Sequence, residues 1–206
     1  VKIYPHYSVQ GSVNSYLVGN EESKEALIID PGKITGEVLG HIEKNGYRLT
    51  AVCITHNHFN HHGYGLRTLQ KIYKLKIYAA DQVLVQRSGK VLRGDCTLTI
   101  AGFTVDCVSV PGHSPDSYLF KIEHCIFTGD SLTAGIPGHT LHSFAAKTLT
   151  EQLSKKLLKY DDSLLLFPGH GPPSTVGAER RFNSAAFTIP HASPPSAAEI
   201  LLTRLS

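Results

Sequence analysis

Thr55-His56-Asn57-His58-Phe59-Asn60-His61-His62-Gly63 stands in mid-chain, directly after the apolar run of residues 51–54. His56 and His58 are two residues apart. On a helix they would point away from one another, so they belong to an extended or looped segment. His61 lies three beyond His58, and a tight turn brings all three to one place. Four of the chain's 12 histidines fall in this stretch. A cloning tag would sit at a terminus, whereas this run follows a strand that reads as buried. Neutral imidazoles gathered in this way are what a divalent transition metal takes as ligands.

The same device recurs on either side. Residues 26–29 run into Asp30-Pro31-Gly32, residues 105–110 into Pro111-Gly112-His113, residues 125–127 into Thr128-Gly129-Asp130, and residues 164–167 into Pro168-Gly169-His170. A strand fixes the position of its own end, and a Gly or Pro lets the loop turn tightly. Polar groups at equivalent ends of several strands converge on one edge of a sheet system. Further strands are expected at 15–18, 76–79, 97–100, 103–110 and 117–122, from short β-branched or aromatic runs bounded by turn residues. Residues 97–103 read as a hairpin. Helical stripes occupy 34–44, stopped by Asn45-Gly46, then 62–74 and 148–160, the last opened by a Thr148-x-x-Glu151 capping box. A short helix at 196–205 follows a proline-bearing strap at 185–196. There is no solenoid repeat and no domain boundary, so residues 1–206 are expected to form one domain.

Composition narrows the function. Among 206 residues, 41% are hydrophobic and 18% charged, as in a folded globular protein. The formal net charge is only +3 and no Lys/Arg run forms a patch, which argues against a nucleic-acid partner. The four cysteines are scattered, so neither a disulfide scaffold nor a cysteine zinc site is expected. No window is long and apolar enough for a membrane span, and residues 1–6 are not a signal peptide. The expected compartment is the cytoplasm, with reduced thiols.

Thr55-His56-x-His58-x-Asn60-His61-x-Gly63 resembles the Thr-His-x-His-x-Asp-His-x-Gly signature of the metallo-β-lactamase fold superfamily. Residues 111–117 resemble its second ligand loop, Phe127-Thr128-Gly129-Asp130 its bridging-Asp loop, residues 167–172 its last histidine loop, and residues 13–18 its N-terminal strand. The resemblance covers residues 11–187. Within the superfamily, Pro168-Gly169-His170-Gly171-Pro172 through Gly177, Glu179 and Asn183 is similar to the ending of short glyoxalase II-like hydrolases. Asn183-Ser184 breaks their final Asn-Pro, and the long helical domain of full-length glyoxalase II is missing. The resemblance implies an α/β (α+β) fold, a four-layer αββα sandwich of two mixed sheets with helices outside and metals at one edge. It implies that His56, His58 and His113 hold a first metal, that His61 and His170 hold a second, and that Asp130 bridges them. Asp30 would hydrogen-bond a ligand imidazole, although an Asp before Pro31 reads equally as a turn residue. The expected cofactor is zinc, with one tight site and room for a second, and with iron or manganese as alternatives. Family members split glutathione thioesters with a hydroxide held by one or two metals, so the expected partner is a small molecule such as a glutathione thioester.

Two departures bear on activity. Residue 60 is Asn where the signature has Asp. Its amide oxygen is a weaker ligand than a carboxylate and cannot take a proton, so the second metal should be held less well. After Asp130 the chain reads Ile136-Pro137-Gly138-His139-Thr140-Leu141, without the Arg and Asp that relatives often carry there. His139 and His142 line the cleft or are ordinary surface histidines. Arg180 and Arg181 are candidates to grip a substrate carboxylate, or are solvated charges on a helix. The leading expectation is metal-dependent hydrolysis of a small thioester or ester. The alternatives are an iron-dependent persulfide dioxygenase and a metal-binding protein with impaired catalysis.

Overall fold

The computed structural model describes residues 1–85 and 89–183, so the expected strap at 185–196 and last helix at 196–205 lie outside the described residues. In chain order the elements are β1 (Lys2–Ser8), β2 (Val13–Gly19), β3 (Glu25–Ile29), α1 (Gly36–Lys44), β4 (Arg48–Cys53), α2 (Phe59–Ile72), β5 (Lys76–Ala79), α3 (Gln82–Val85) and β6 (Gly89–Val91). Then come β7 (Cys96–Ile100), β8 (Phe103–Ser109), β9 (Tyr118–Ile122), β10 (Cys125–Gly129), β11 (Leu132–Thr133), β12 (Ile136–Pro137), α4 (Ser143–Lys156), β13 (Leu165–Pro168), β14 (Ser174–Thr175) and α5 (Val176–Phe182). The first sheet runs β1-β2-β3-β4-β5-β6 and the second β14-β13-β10-β9-β8-β7, with β11 and β12 a separate small hairpin.

Both sheets are mixed. In the first, β1, β2 and β3 pair antiparallel, and β3 through β6 pair parallel. In the second, β8 and β10 are each antiparallel to β9, so they run alike, and β13 is parallel to β10. The ends of β8, β10 and β13 therefore emerge at one edge, as do the ends of β3 and β4 in the first sheet.

The layers follow from side chains alternating along strands that are buried on both faces. On β3, Leu27 and Ile29 face the second sheet in a core shared with Tyr16, Cys53, Phe120 and Phe127. Ala26 and Ile28 face the other way, against Val38 and Ile42 of α1 and Leu66 and Leu69 of α2. On β10, Phe127 points inward while Ile126 packs outward with Leu149 and Leu153 of α4. The result is the expected four-layer αββα sandwich. The hairpin expected at 97–103 is also present. Ile100 pairs with Phe103 across Ala101 and Gly102, and both loop residues have positive φ (49° and 74°), as a primed two-residue turn requires.

Some boundaries differ from expectation. α2 starts at Phe59, not at residue 62, because His58 is the extended residue capping it (φ −105°, ψ 131°). His61 is thus brought round by a helical first turn. α4 starts at Ser143, because the His142 ring accepts a hydrogen bond from the Ala145 N–H. The Thr148 hydroxyl donates to the Phe144 carbonyl at 2.9 Å within the helix, so Thr148-x-x-Glu151 is not a capping box. Strand β1 was not anticipated. It lies at the edge of its sheet, where Pro5 and a mixed burial pattern are tolerated.

Candidate metal centre

The loop after β4, the first turn of α2 and the loops after β8, β10 and β13 bring His56, His58, His61, His113, Asp130 and His170 together. They form two sets that share Asp130. The first is His56, His58, His113 and Asp130, and the second is His61, Asp130 and His170, with ligand atoms in each set within 4.8 Å of one another. In the first, His56 Nε2 lies 2.9 Å and His113 Nε2 3.3 Å from His58 Nδ1. Asp130 Oδ2 is 3.8 Å from both His56 Nε2 and His113 Nε2. In the second, Asp130 Oδ1 is 3.2 Å from His61 Nε2, and Asp130 Oδ2 is 3.3 Å from His170 Nε2.

The far nitrogens of four rings are fastened, which fixes which nitrogen turns inward. His113 Nδ1 donates to the His139 carbonyl and His170 Nδ1 to the Ser12 carbonyl, each at 2.7 Å. His61 Nδ1 donates to Asp30 Oδ2 at 3.2 Å. Asp30 also accepts from the Thr55 N–H and hydroxyl at 2.8 and 2.6 Å, and that hydroxyl sits 3.0 Å from His56 Nδ1. Asp30 meets the His61 imidazole, and with positive φ (48°) it also turns the chain before Pro31, so both sequence readings describe it. Burial, reinforced by the neighbouring His61, pushes His56 down to about 2, which keeps it in the neutral form that ligates metals. Burial works against a charge on His61 too, but Asp130 and Asp30 outweigh it and raise its pKa to about 9. Burial would raise the Asp130 carboxyl, yet His170 and His61 hold it well below the usual carboxylate range.

A cation fits this arrangement on structural grounds. Among the described residues, His61 Nε2 and Asp130 Oδ1 are both buried and have no hydrogen-bond partner, while facing each other at 3.2 Å. Buried polar atoms are nearly always satisfied, and a divalent ion between an imidazole nitrogen and a carboxylate oxygen would satisfy both.

Asn60 sits half-buried on the first turn of α2, beside His61. Gly11 presses on it from the β1–β2 loop, with positive φ (81°), and a Cβ there would come within 2.7 Å of Asn60 Cβ. The same loop supplies the Ser12 carbonyl that holds His170. Strand β2 adds a clamp on the His170 loop. Asn14 Nδ2 donates to the Pro168 and Gly171 carbonyls, and the buried Tyr16 hydroxyl donates to Pro168 at 2.6 Å.

Arg180 and Arg181 are not brought to the centre. Arg180 donates to the Leu158 and Tyr160 carbonyls and pairs with Asp162, stitching α5 to the loop after α4. The Arg181 guanidinium lies over the Phe182 ring. The His139 carbonyl accepts from His113, and His142 caps α4 while also lining a pocket beside His113. Sequence reasoning missed a supporting network. The Asn57 N–H donates to Asp116 Oδ2, its side chain to Asp81, and its Oδ1 lies 2.8 Å from Nε2 of the buried His62. Asp116 stands in the quoted second loop, but nothing local pairs it with Asn57 across 59 positions.

An αββα sandwich with a shared carboxylate between two imidazole sets at its edge defines a class of divalent-metal proteins. Residues 9–93 match the sequence pattern of the metallo-beta-lactamase superfamily. An uncharacterized protein of Treponema pallidum is 35% identical over 181 residues, which cover 87% of this chain and 97% of that protein. Hydroxyacylglutathione hydrolase GloC of Haemophilus influenzae is 28% identical, with 82% of this chain and 91% of that protein covered. Among solved structures, a protein in a di-iron-bound form superposes with a TM-score of 0.69 at 28% identity, over 87% of this chain and 98% of that one. The chain belongs to the metallo-beta-lactamase superfamily.

Proposed function

We propose that this protein is a metal-dependent hydrolase that cleaves a small thioester or ester. The observation that carries this reading is Asp130 standing between two imidazole sets, its Oδ1 and His61 Nε2 buried and, among the described residues, without a hydrogen-bond partner. His56, His58, His113 and Asp130 would hold a first divalent ion, zinc in our reading, and His61, His170 and Asp130 a weaker second one. Such an ion lowers the pKa of water to about 7 and polarises the substrate carbonyl. Asp30 keeps the His61 and His56 rings in the orientation that turns Nε2 inward. Asn60 can hydrogen-bond a water but cannot accept its proton. In the net reaction, water adds to the acyl carbon, the C–S or C–O bond breaks, and the departing thiol or alcohol takes up a proton. The name of the Haemophilus relative supports an acylated thiol as substrate.

The relative solved in a di-iron-bound form supports iron as an alternative to zinc, and with iron the rival reading is a persulfide dioxygenase using His56, His113 and Asp130. Metal analysis of protein purified without added metal, paired with S-lactoylglutathione turnover, tests the proposal. We expect zinc and hydrolysis. Iron, no thioesterase activity, and oxygen consumption with glutathione persulfide would establish the rival instead. Bound metal with neither activity would leave a metal-binding protein impaired at Asn60.

A further inference from the structure

Beside the metal centre, with His113 common to both, lies a small and largely apolar pocket. It is lined by Pro111, His113 and Pro115 of one loop, by Leu141 and His142 before α4, and by Phe144 and Ala145 on its first turn, and its volume is 240 Å³. Two features make it a built site. Gly112 (φ 148°) is pressed against α4 so closely that a Cβ would lie 2.4 Å from Leu149 Cβ, which locks the His113 loop onto the helix. The segment carrying Leu141 is tied to the same histidine, because His113 Nδ1 holds the His139 carbonyl at 2.7 Å.

The lining carries no Lys, Arg, Asp or Glu. The hydroxyl of Thr148, which also borders it, is spent on the Phe144 carbonyl, and His142 Nδ1 on the Ala145 N–H. Meanwhile Leu141 and Phe144 are 87% and 75% exposed. Large apolar side chains left in water around a concave site mark where an apolar partner is received. The volume falls below the roughly 300–1,000 Å³ of pockets that take a whole drug-sized ligand, so this one receives a single short arm of a substrate.

We infer that the substrate carries a short apolar acyl arm, about the size of a hexanoyl chain, which passes His113 and lodges between Pro111, Pro115, Leu141 and Phe144. This inference rests on the hydrolase reading above and narrows it. The arm is hydrocarbon, so the polar lactoyl group of S-lactoylglutathione is a poor occupant.

The test compares p-nitrophenyl hexanoate with p-nitrophenyl acetate on metal-loaded protein, and calorimetric binding of sodium hexanoate with that of sodium acetate. The chain-length preference in kcat/KM should be at least about tenfold, since even one methylene in an apolar pocket is worth about that factor. Leu141→Asp and Phe144→Ala should each collapse the hexanoate-to-acetate ratio toward one. Both side chains are exposed, so neither substitution threatens the core. Turnover of both esters without a preference, or a preference that survives in both variants, overturns the pocket and leaves the hydrolase reading standing. No turnover of either ester or of S-lactoylglutathione overturns the hydrolase reading, and the pocket is then judged by binding alone. Hexanoate bound at least about tenfold more tightly than acetate, with the difference lost in Leu141→Asp, supports it, and equal affinities refute it.

Discussion

Asn60 sits one position before His61 on the first turn of α2, so whatever it offers is offered to the second imidazole set. That set holds one carboxylate, Asp130, already shared with the first. Two divalent cations about 3.5–4 Å apart repel strongly, and carboxylates between and beside them offset the repulsion. Asn60→Asp should therefore raise affinity for a second zinc at least about tenfold, or about 1.4 kcal/mol, with the first site little changed. A zinc titration against a competing chelator reads both steps. Equal second-site affinity in the two proteins, or two tightly held ions in the parent, would refute the role given to this residue. At this scale the sequence was most legible where chemistry is local. His56, His58 and His61 announce themselves by spacing, and the structure gathers them with His113, Asp130 and His170. Arg180 was read in two ways because a guanidinium suits a backbone carbonyl as well as a substrate carboxylate, and tertiary structure places it on the Leu158 and Tyr160 carbonyls.

At the scale of elements, strands buried on both faces were legible because an uninterrupted apolar run such as residues 26–29 has few other uses. The start of α4 was not. His142 is an unusual cap, and a Thr-x-x-Glu pair inside the helix mimicked the signal. The short β14 and α5 offer too few residues for a period to emerge. The feature of most consequence here is β2, whose Asn14 and Tyr16 reach across to the loop carrying His170. Asn14→Ala removes the two side-chain hydrogen bonds to Pro168 and Gly171. The Pro168 carbonyl keeps Tyr16 as a donor, so the loss should be about 1 kcal/mol, a drop of about 2–4 °C in Tm. Because His170 belongs only to the second set, second-metal affinity should fall while the first site holds, measured by the same zinc titration. A parallel loss at both sites would show that β2 supports the whole edge, not this loop in particular.

The whole molecule has two sheets closed on a core rich in Phe120, Phe127, Ile29 and Leu27, and this sandwich is stable without help from an ion in our reading. A metal held by this centre and not by the unfolded chain would add stability by mass action, about 2.7 kcal/mol at a concentration 100 times Kd. Protein stripped by chelator should fold with the same circular dichroism and melt several degrees lower, and zinc should restore the higher midpoint. His58→Ala should abolish most of that zinc-dependent rise. An unchanged rise in this variant would mean that the ion sits elsewhere. One more consequence follows from how far apart in the chain the second set's supports lie. The Ser12 carbonyl orients His170 across 158 positions, and Asn14 reaches Gly171 across 157. During synthesis on the ribosome, His61 emerges long before His170, its partner in the second set. A chain stopped before residue 170 lacks a ligand of the second set, so loading of a second ion would report that synthesis has passed that loop.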